Sequence, residues 1–326
     1  MSRILGLFFN LFEPVFRLAQ RRLGVSRLGW LFVAPNLIVF GLFTFLPIAI
    51  NVVYATTGGV NLMPLDRPYT GSENFGTLLE CRNYFDIQTC RKDVFWRAIF
   101  NTMQFSLIQV VLMVVFSLLT ALVLNRKIIG RGFWRGVFFY PVLLSPVVVA
   151  LIWKWLLQSQ GVFNAALVAL GSSPIEWLTT AHWAFFWVVF VSIWAHMGFY
   201  TLILLAGLQA IPKEMYEAAE MDGASAWRTL RRITLPLLMP NLIVVLVLAM
   251  IRAVQIFDEV FVLTGGGPGS ATTFIVQFIY QTGFAEQIHL YGLAAAASLV
   301  LALGLILLTL IQLRLTRASD AGQRSR

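Results

Sequence analysis

Ile211-Pro212-Lys213-Glu214-Met215-Tyr216-Glu217-Ala218-Ala219-Glu220-Met221-Asp222-Gly223-Ala224-Ser225-Ala226-Trp227 is the stretch around which the rest of the chain is organised. Apolar runs flank it, Trp183–Leu208 before and Leu237–Leu263 after, each long enough to cross a bilayer. Between them stand Glu214, Glu217, Glu220 and Asp222, in a chain with 59% hydrophobic and only 12% charged residues. A short helix rich in Glu and Ala has no place in hydrocarbon, so its use is to be held by another protein in water. Pro212 suits a first helical turn, and Glu214 and Glu217 complement the positive end of the helix dipole. Gly223 can take the left-handed conformation that ends a helix, and Ser225 can cap a second one running through Trp227 and Leu230.

Soluble domains carry roughly 25% charged residues. The mean hydropathy of +0.79 therefore makes the bilayer the solvent for most of this chain. Six stretches qualify as spans: Trp30–Tyr54, Phe100–Leu124, Val137–Leu157, Trp183–Leu208, Leu237–Leu263 and Tyr291–Leu313. Pro35, Pro47, Pro141, Pro146 and Pro240 fall in or beside them, which neighbouring helices make tolerable in a membrane. The expectation is an all-α membrane protein of six transmembrane helices.

The net charge of +9 would suit a nucleic-acid partner, but its distribution argues against one. Arginines and lysines crowd the N-terminal arm, the Arg126–Arg135 loop, the Lys213–Arg232 loop and the C-terminal tail. The alternate loops hold only Arg67, Arg82, Arg91, Lys92 and Arg97. By the positive-inside rule, both termini and the Glu217 loop are expected in the cytoplasm. This divides the chain into an N-terminal arm (1–28), a transmembrane domain (29–315) and a cytoplasmic tail (316–326). Within the domain, 55–99 is an external loop and 210–232 a cytoplasmic one. Phe8, Phe9, Leu11, Phe12 and Phe16 give the arm the look of a helix lying along the inner interface.

Cys81 and Cys90 both fall in the external loop, an oxidising location where they can form a disulfide. Chemistry is otherwise sparse. Lys92, Lys127, Lys154 and Lys213 each lack a preceding glycine, so there is no phosphate-cradling loop. His182, His196 and His289 are scattered, without cysteine or HExxH companions, so no metal site is expected. The polar residues within spans stand out instead, because such groups are costly there and face a bundle interior or an aqueous path. Arg252, Gln255 and Asp258 succeed one another at helical spacing and read as a stripe along a solute route. Trp194, His196, Tyr200 and Thr201 could complete a pocket, since indole and phenol rings stack on sugar faces and offer a polar edge. Lys154 and Glu259 lie near span ends, where long charged side chains reach the interface.

Glu217-Ala218-Ala219, Asp222-Gly223-Ala224 and Ile233-Thr234-Leu235-Pro236 together resemble the EAA loop of permease subunits of binding-protein-dependent ABC importers. Position 230 is Leu where that family often has Phe. Phe257-Asp258, Leu263-Thr264-Gly265-Gly266-Gly267-Pro268-Gly269 and Ala271-Thr272-Thr273 are similar to the carbohydrate-uptake permeases related to the maltose and glycerol-3-phosphate importers. Leu313-Arg314-Leu315-Thr316-Arg317 stands where the second permease of such systems has a Gly-Ala-Val-Lys-Gly tail, which marks this chain as the first of two unlike permeases. The resemblance implies a type I importer permease fold. It implies that Glu217, Ala218, Ala219, Asp222 and Gly223 couple the chain to an ATPase dimer, where ATP and Mg²⁺ would bind. A second permease and a periplasmic binding protein are further implied partners, and the solute would be a sugar or oligosaccharide. Glycerol phosphate or another anionic sugar derivative is the alternative cargo. A self-contained secondary transporter, or a purely structural membrane subunit, is the alternative class.

Overall fold

The structure is a computed structural model that describes residues 25–84 and 86–324. The interfacial helix expected within 1–28 therefore lies almost wholly outside the described residues. The chain is helical nearly throughout. The first span is α1 (Val25–Phe40) and α2 (Leu46–Ala55), joined by a π-helical turn at Gly41–Phe45. A loop containing α3 (Glu73–Leu79) leads to α4 (Asp93–Asn125), the second span. Next come α5 (Arg131–Phe139), α6 (Pro146–Leu156) and α7 (Val162–Ala169), then the long α8 (Ala181–Ala210). Helix α9 (Lys213–Met221) and the turn α10 (Ala226–Thr229) precede α11 (Leu235–Val254), which is followed by α12 (Asp258–Leu263), α13 (Ile275–Tyr280) and α14 (Tyr291–Arg324).

Proline chemistry explains two irregularities. A proline inside a helix removes one hydrogen bond and clashes with the carbonyl four residues back. For Pro47 and Pro236 those carbonyls belong to Phe43 and Arg232, and each lies inside a π turn, Gly41–Phe45 and Leu230–Thr234. The wider turn absorbs the clash without ending the span.

Two expected spans are not continuous. The third, read as Val137–Leu157, is a broken pair, Arg131–Leu143 and Pro146–Leu156, bent by 99°. Pro146 accounts for the break: a residue before proline is pushed out of the α region, and Ser145 is extended with ψ of 136°, as is Leu144 before it at 144°, whereas Tyr140 before Pro141 stays helical. The fifth, read as Leu237–Leu263, stops at Val254, and α12 restarts at Asp258. The residues expected to form one stripe therefore belong to two helices and the break between them. Helix α14 also continues to Arg324, through the segment read as a tail.

The core forms where α4, α8 and α11 pack around Phe105, Met113, Leu204, Leu238 and Val245. Close approach along α8 depends on glycine. A Cβ on Gly198 would stand 2.2 Å from the Phe138 carbonyl oxygen and 2.9 Å from the Phe139 Cα, so α8 accepts the end of α5 only where no side chain intervenes. Asn101 Nδ2 donates to the carbonyls of Ser270 (2.8 Å) and Thr273 (3.1 Å), which ties the loop after α12 to α4. The first span is the outlier, with none of its most apolar window buried. Its main tie is to α14, through Asn51 Nδ2 donating to Ser298 Oγ at 2.8 Å.

Gly198→Ala should lower thermal stability in detergent by roughly 1–3 kcal/mol, the usual cost of overpacking. Gly136→Ala, where an added Cβ meets nothing within 4 Å, should be neutral. Equal melting temperatures for the two variants would refute the backbone-contact account.

Candidate functional site

Both helix interruptions face one cavity of about 600 Å³. Pro141, Val142, Leu144 and Pro146 of the bend line one side, and Gln255, Ile256 and Phe257 of the break line another. The third wall is the face of α8 that carries Ser192, His196 and Tyr200, residues spaced four apart and so stacked on one side of a helix. Gln109 of α4 reaches in as well. It is only 2% exposed, and its Oε1 accepts no hydrogen bond. A buried acceptor left open in this way is a costly feature.

A charge cluster holds the cavity together. Glu259, in the first turn of α12, is 5% exposed. Its Oε1 lies 3.5 Å from Arg252 Nη2 on α11 and 3.3 Å from His196 Nε2 on α8. His196 Nδ1 is 2.9 Å from the Ser192 carbonyl oxygen, so the ring donates there and keeps the Nδ1 proton. Nε2 is left as the acceptor for Arg252 Nη2, which lies within hydrogen-bond reach. Three helices thus meet through one guanidinium. A buried carboxylate persists only when it is paired and hydrogen-bonded, and here Glu259, beyond the break, is paired with Arg252 on the helix before it. Sequence reading placed Glu259 at the interface; Arg252 is near in the chain, but His196, against which the pair is buried, is 63 positions away, so nothing local signals the cluster.

Arg252, Gln255, Asp258 and Tyr200, named from sequence as solute-path residues, all line this cavity. Trp194 does not. It lies in an apolar groove between α4 and α8, with Ile108, Leu112 and Phe190, and its ring meets Trp153 edge-on at 5.5 Å. Trp194 and His196 are two residues apart, about 200° around a helix of 3.6 residues per turn, so they face opposite ways. Thr201 Oγ1 is spent on the Met197 carbonyl at 2.8 Å. Lys154 Nζ donates to the Val262 carbonyl at 2.9 Å, fastening α6 to the end of α12. Gln109 was missed, although a glutamine inside an apolar span was the available signal.

At the end of α8, α9 ends in the hydrogen-bond pattern that a left-handed glycine permits. Ala224 N donates to Ala219 O (2.9 Å) and Gly223 N to Glu220 O (3.0 Å), with Gly223 at φ +68°. Ser225 Oγ then accepts from Arg228 N and starts α10. Ala219 and Tyr216 face the bundle, Tyr216 Oη pairing with Thr234 Oγ1 at 3.3 Å. Glu217, Ala218, Asp222 and Gly223 are exposed on the opposite surface, together with Met221 and Trp227. Cys81 and Cys90 are disulfide-bonded across an isolated antiparallel bridge in the loop between α2 and α4. Closing so short a loop contributes about 2–3 kcal/mol on the chain-entropy account.

Comparison with known proteins fits this geometry. The family model described as "Binding-protein-dependent transport system inner membrane component" matches residues 85–321. The chain is 38% identical to the trehalose/maltose transport system permease protein MalF of Thermococcus litoralis, over 90% of this chain and 94% of that one. It is 31% identical to the lactose transport system permease protein LacF of Rhizobium radiobacter, over 87% and 92%. Among solved structures, a chain of a bacterial alginate ABC transporter in complex with an alginate pentasaccharide-bound periplasmic protein superposes with a TM-score of 0.75. That pair is 25% identical, with 92% of this chain and 97% of that one covered. These relatives are transport components rather than enzymes. The multi-pass architecture, the family match and the sugar-permease relatives lead to one conclusion: the chain belongs to the inner-membrane components of binding-protein-dependent transport systems, as a permease subunit of a carbohydrate-uptake ABC importer.

Proposed function

We propose that this chain pairs with a second permease to form an alternating-access path for a neutral sugar or oligosaccharide, delivered by a periplasmic binding protein. The observation that carries the reading is the cavity at the two helix interruptions. Its volume of about 600 Å³ lies within the roughly 300–1,000 Å³ of small-molecule sites. Gln109, Tyr200, Gln255 and Asp258 supply the amides, hydroxyl and carboxylate that bind sugar hydroxyls. Arg252 is already engaged by Glu259 and His196, so Asp258 leaves the lining with a negative balance. That balance disfavours glycerol phosphate or another anionic cargo, which would need an uncompensated cation.

In the proposed cycle, α9 is the coupling helix and faces the cytoplasm, as the positive-inside asymmetry requires. ATP and Mg²⁺ bind on two separate ATPase subunits. Their closure pulls on the exposed Glu217, Ala218, Asp222 and Gly223, while Ala219, facing the bundle, passes the motion inward and the bundle reorients. Transmission needs a rigid handle, and the left-handed turn at Gly223 together with the Tyr216–Thr234 contact provides one. The trehalose/maltose and lactose permeases support a sugar as cargo, and the alginate transporter with its bound periplasmic protein supports delivery by such a partner.

A β-branched residue at φ +68° costs about 1–2 kcal/mol or more. Gly223→Val should therefore abolish uptake and solute-stimulated ATPase activity while the second permease still co-purifies. Gly223→Asn, which tolerates the left-handed region, should keep most of both. Uptake and stimulation at normal rates in the valine variant would remove α9 from the coupling path.

Glu259→Gln should lower the melting temperature, by the equivalent of roughly 1–3 kcal/mol for a charged hydrogen bond, and should reduce uptake. Asp258→Asn, at a residue exposed to the cavity, should leave stability unchanged and weaken transport alone. Identical melting curves for the two variants would show that the cluster does not hold α12.

A further inference from the structure

The loop that follows α2 is built to rest on something apolar. Residues 56–72 carry two charged side chains, Asp66 and Arg67, and Arg67 is turned inward, 7% exposed. Its guanidinium donates to Thr57 Oγ1 (2.9 Å), the Thr57 carbonyl (3.2 Å) and the Asn61 carbonyl (2.8 Å). It stands 5.1 Å from the centroid of the Tyr54 ring and 6.0 Å from that of Tyr291, within cation–π range. Backbone bonds from Gly58 N to Pro68 O and from Thr70 N to Thr56 O, both 2.9 Å, close the hairpin. The loop is thereby locked to the adjoining ends of α2 and α14. With the cation withdrawn, its outward surface is Val60, Leu62, Met63, Leu65 and Tyr69, with Leu65 98% and Tyr69 80% exposed.

Depth follows from the Tyr54 hydroxyl, which donates to the Leu62 carbonyl. Helical side chains lean toward the helix N-terminus, so this hydroxyl lies no further out than the last turn of α2. Leu62 is held at the same level, that of the last turn of a helix whose Ile50, Val52 and Val53 are exposed. The apolar tip thus sits at the depth of the exposed apolar end of that helix. A surface made to dock and release a soluble protein carries a polar rim, and here Asp66 is the single exposed charge, with the uncharged Asn61 and Ser72 beside it.

We infer that the Val60–Tyr69 loop is a lipid anchor, lying in the interfacial layer of the leaflet at that end. Leu62, Met63 and Leu65 sit at the headgroup–acyl boundary, and Tyr69 sits at headgroup level, where aromatic side chains with a polar tip are favoured. The anchor compensates for a specific weakness. The α1–α2 span has none of its apolar window buried, and interfacial anchors are one of the means that set the tilt of so loosely packed a helix.

Among the described residues there are no free cysteines, so a single introduced thiol can carry a spin label. Leu65→Cys is suitable because the side chain touches almost nothing. It would be labelled in the complete transporter in liposomes and read by power saturation against oxygen and a water-soluble nickel chelate. Val53→Cys on the lipid face of α2 is the membrane reference. The anchor predicts a Leu65 label with several-fold more oxygen than chelate collision, close to the Val53 reading and unchanged when binding protein is added. A chelate-accessible label would place the loop in water and overturn the proposal. A label shielded from both probes, or shielded only when binding protein is present, would overturn it in favour of a protein partner.

Discussion

Within hydrocarbon, every backbone amide and carbonyl must find a partner in the protein, so a helix that stops mid-membrane is tolerated only where it faces protein or a water-filled cavity. Here the helix pair around Pro141 to Ser145 is bent by 99°, and the helix ending at Val254 restarts at Asp258. Both interruptions open onto the same cavity. The polar side chains gather there for the same reason, since it is the place in the bundle where their cost is lowest. Broken backbone, buried charge and the proposed solute path are three aspects of one constraint.

The cluster of Glu259, His196 and Arg252 gives the cavity its organisation. Glu259 is on the short helix beyond the break, and its partners are on the long helices before it. The same short helix is tied to α6 by Lys154, so the segments beyond the two breaks are fastened to each other as well as to the bundle. An element held at a few discrete points can switch between two arrangements, which a continuously packed helix cannot do easily. At the other end, α9 packs on the same bundle through Tyr216 and Thr234 at the foot of α11. Helix α11 therefore links the proposed coupling helix to the cavity, with the Thr234 contact just before its start and Arg252 near its end.

Much of this was legible in the sequence. Long apolar runs announce the spans because the bilayer demands them, and Glu214 to Asp222 announce a water-exposed helix because four carboxylates cannot lie in lipid. Gly223 and Ser225 signal a stop and a start by local backbone chemistry, and both appear in the structure as expected. The prolines at 141 and 146 were visible, but only the second has an extended residue before it, and the size of the bend depends on what the freed groups pack against. The break after Val254 carries no glycine or proline at all, and hydropathy runs straight across it. Glu259 could not be read as buried because its partners are made neighbours by the fold. The error at Trp194 was different, since helical geometry alone sets it on the opposite side of α8 from His196 and Tyr200.

The central claim is that this cavity is the part of the path exposed alternately to the two sides of the membrane. The most direct measurement uses Gln255→Cys in the complete transporter in sealed vesicles, with a membrane-impermeant thiol reagent applied from one side at a time. Alternating access predicts alkylation from the cytoplasmic side in the nucleotide-free state. In the ATP–vanadate-trapped state, alkylation should come from the opposite side instead. Alkylation from the same side in both states, with ATP-driven uptake intact, would contradict the account.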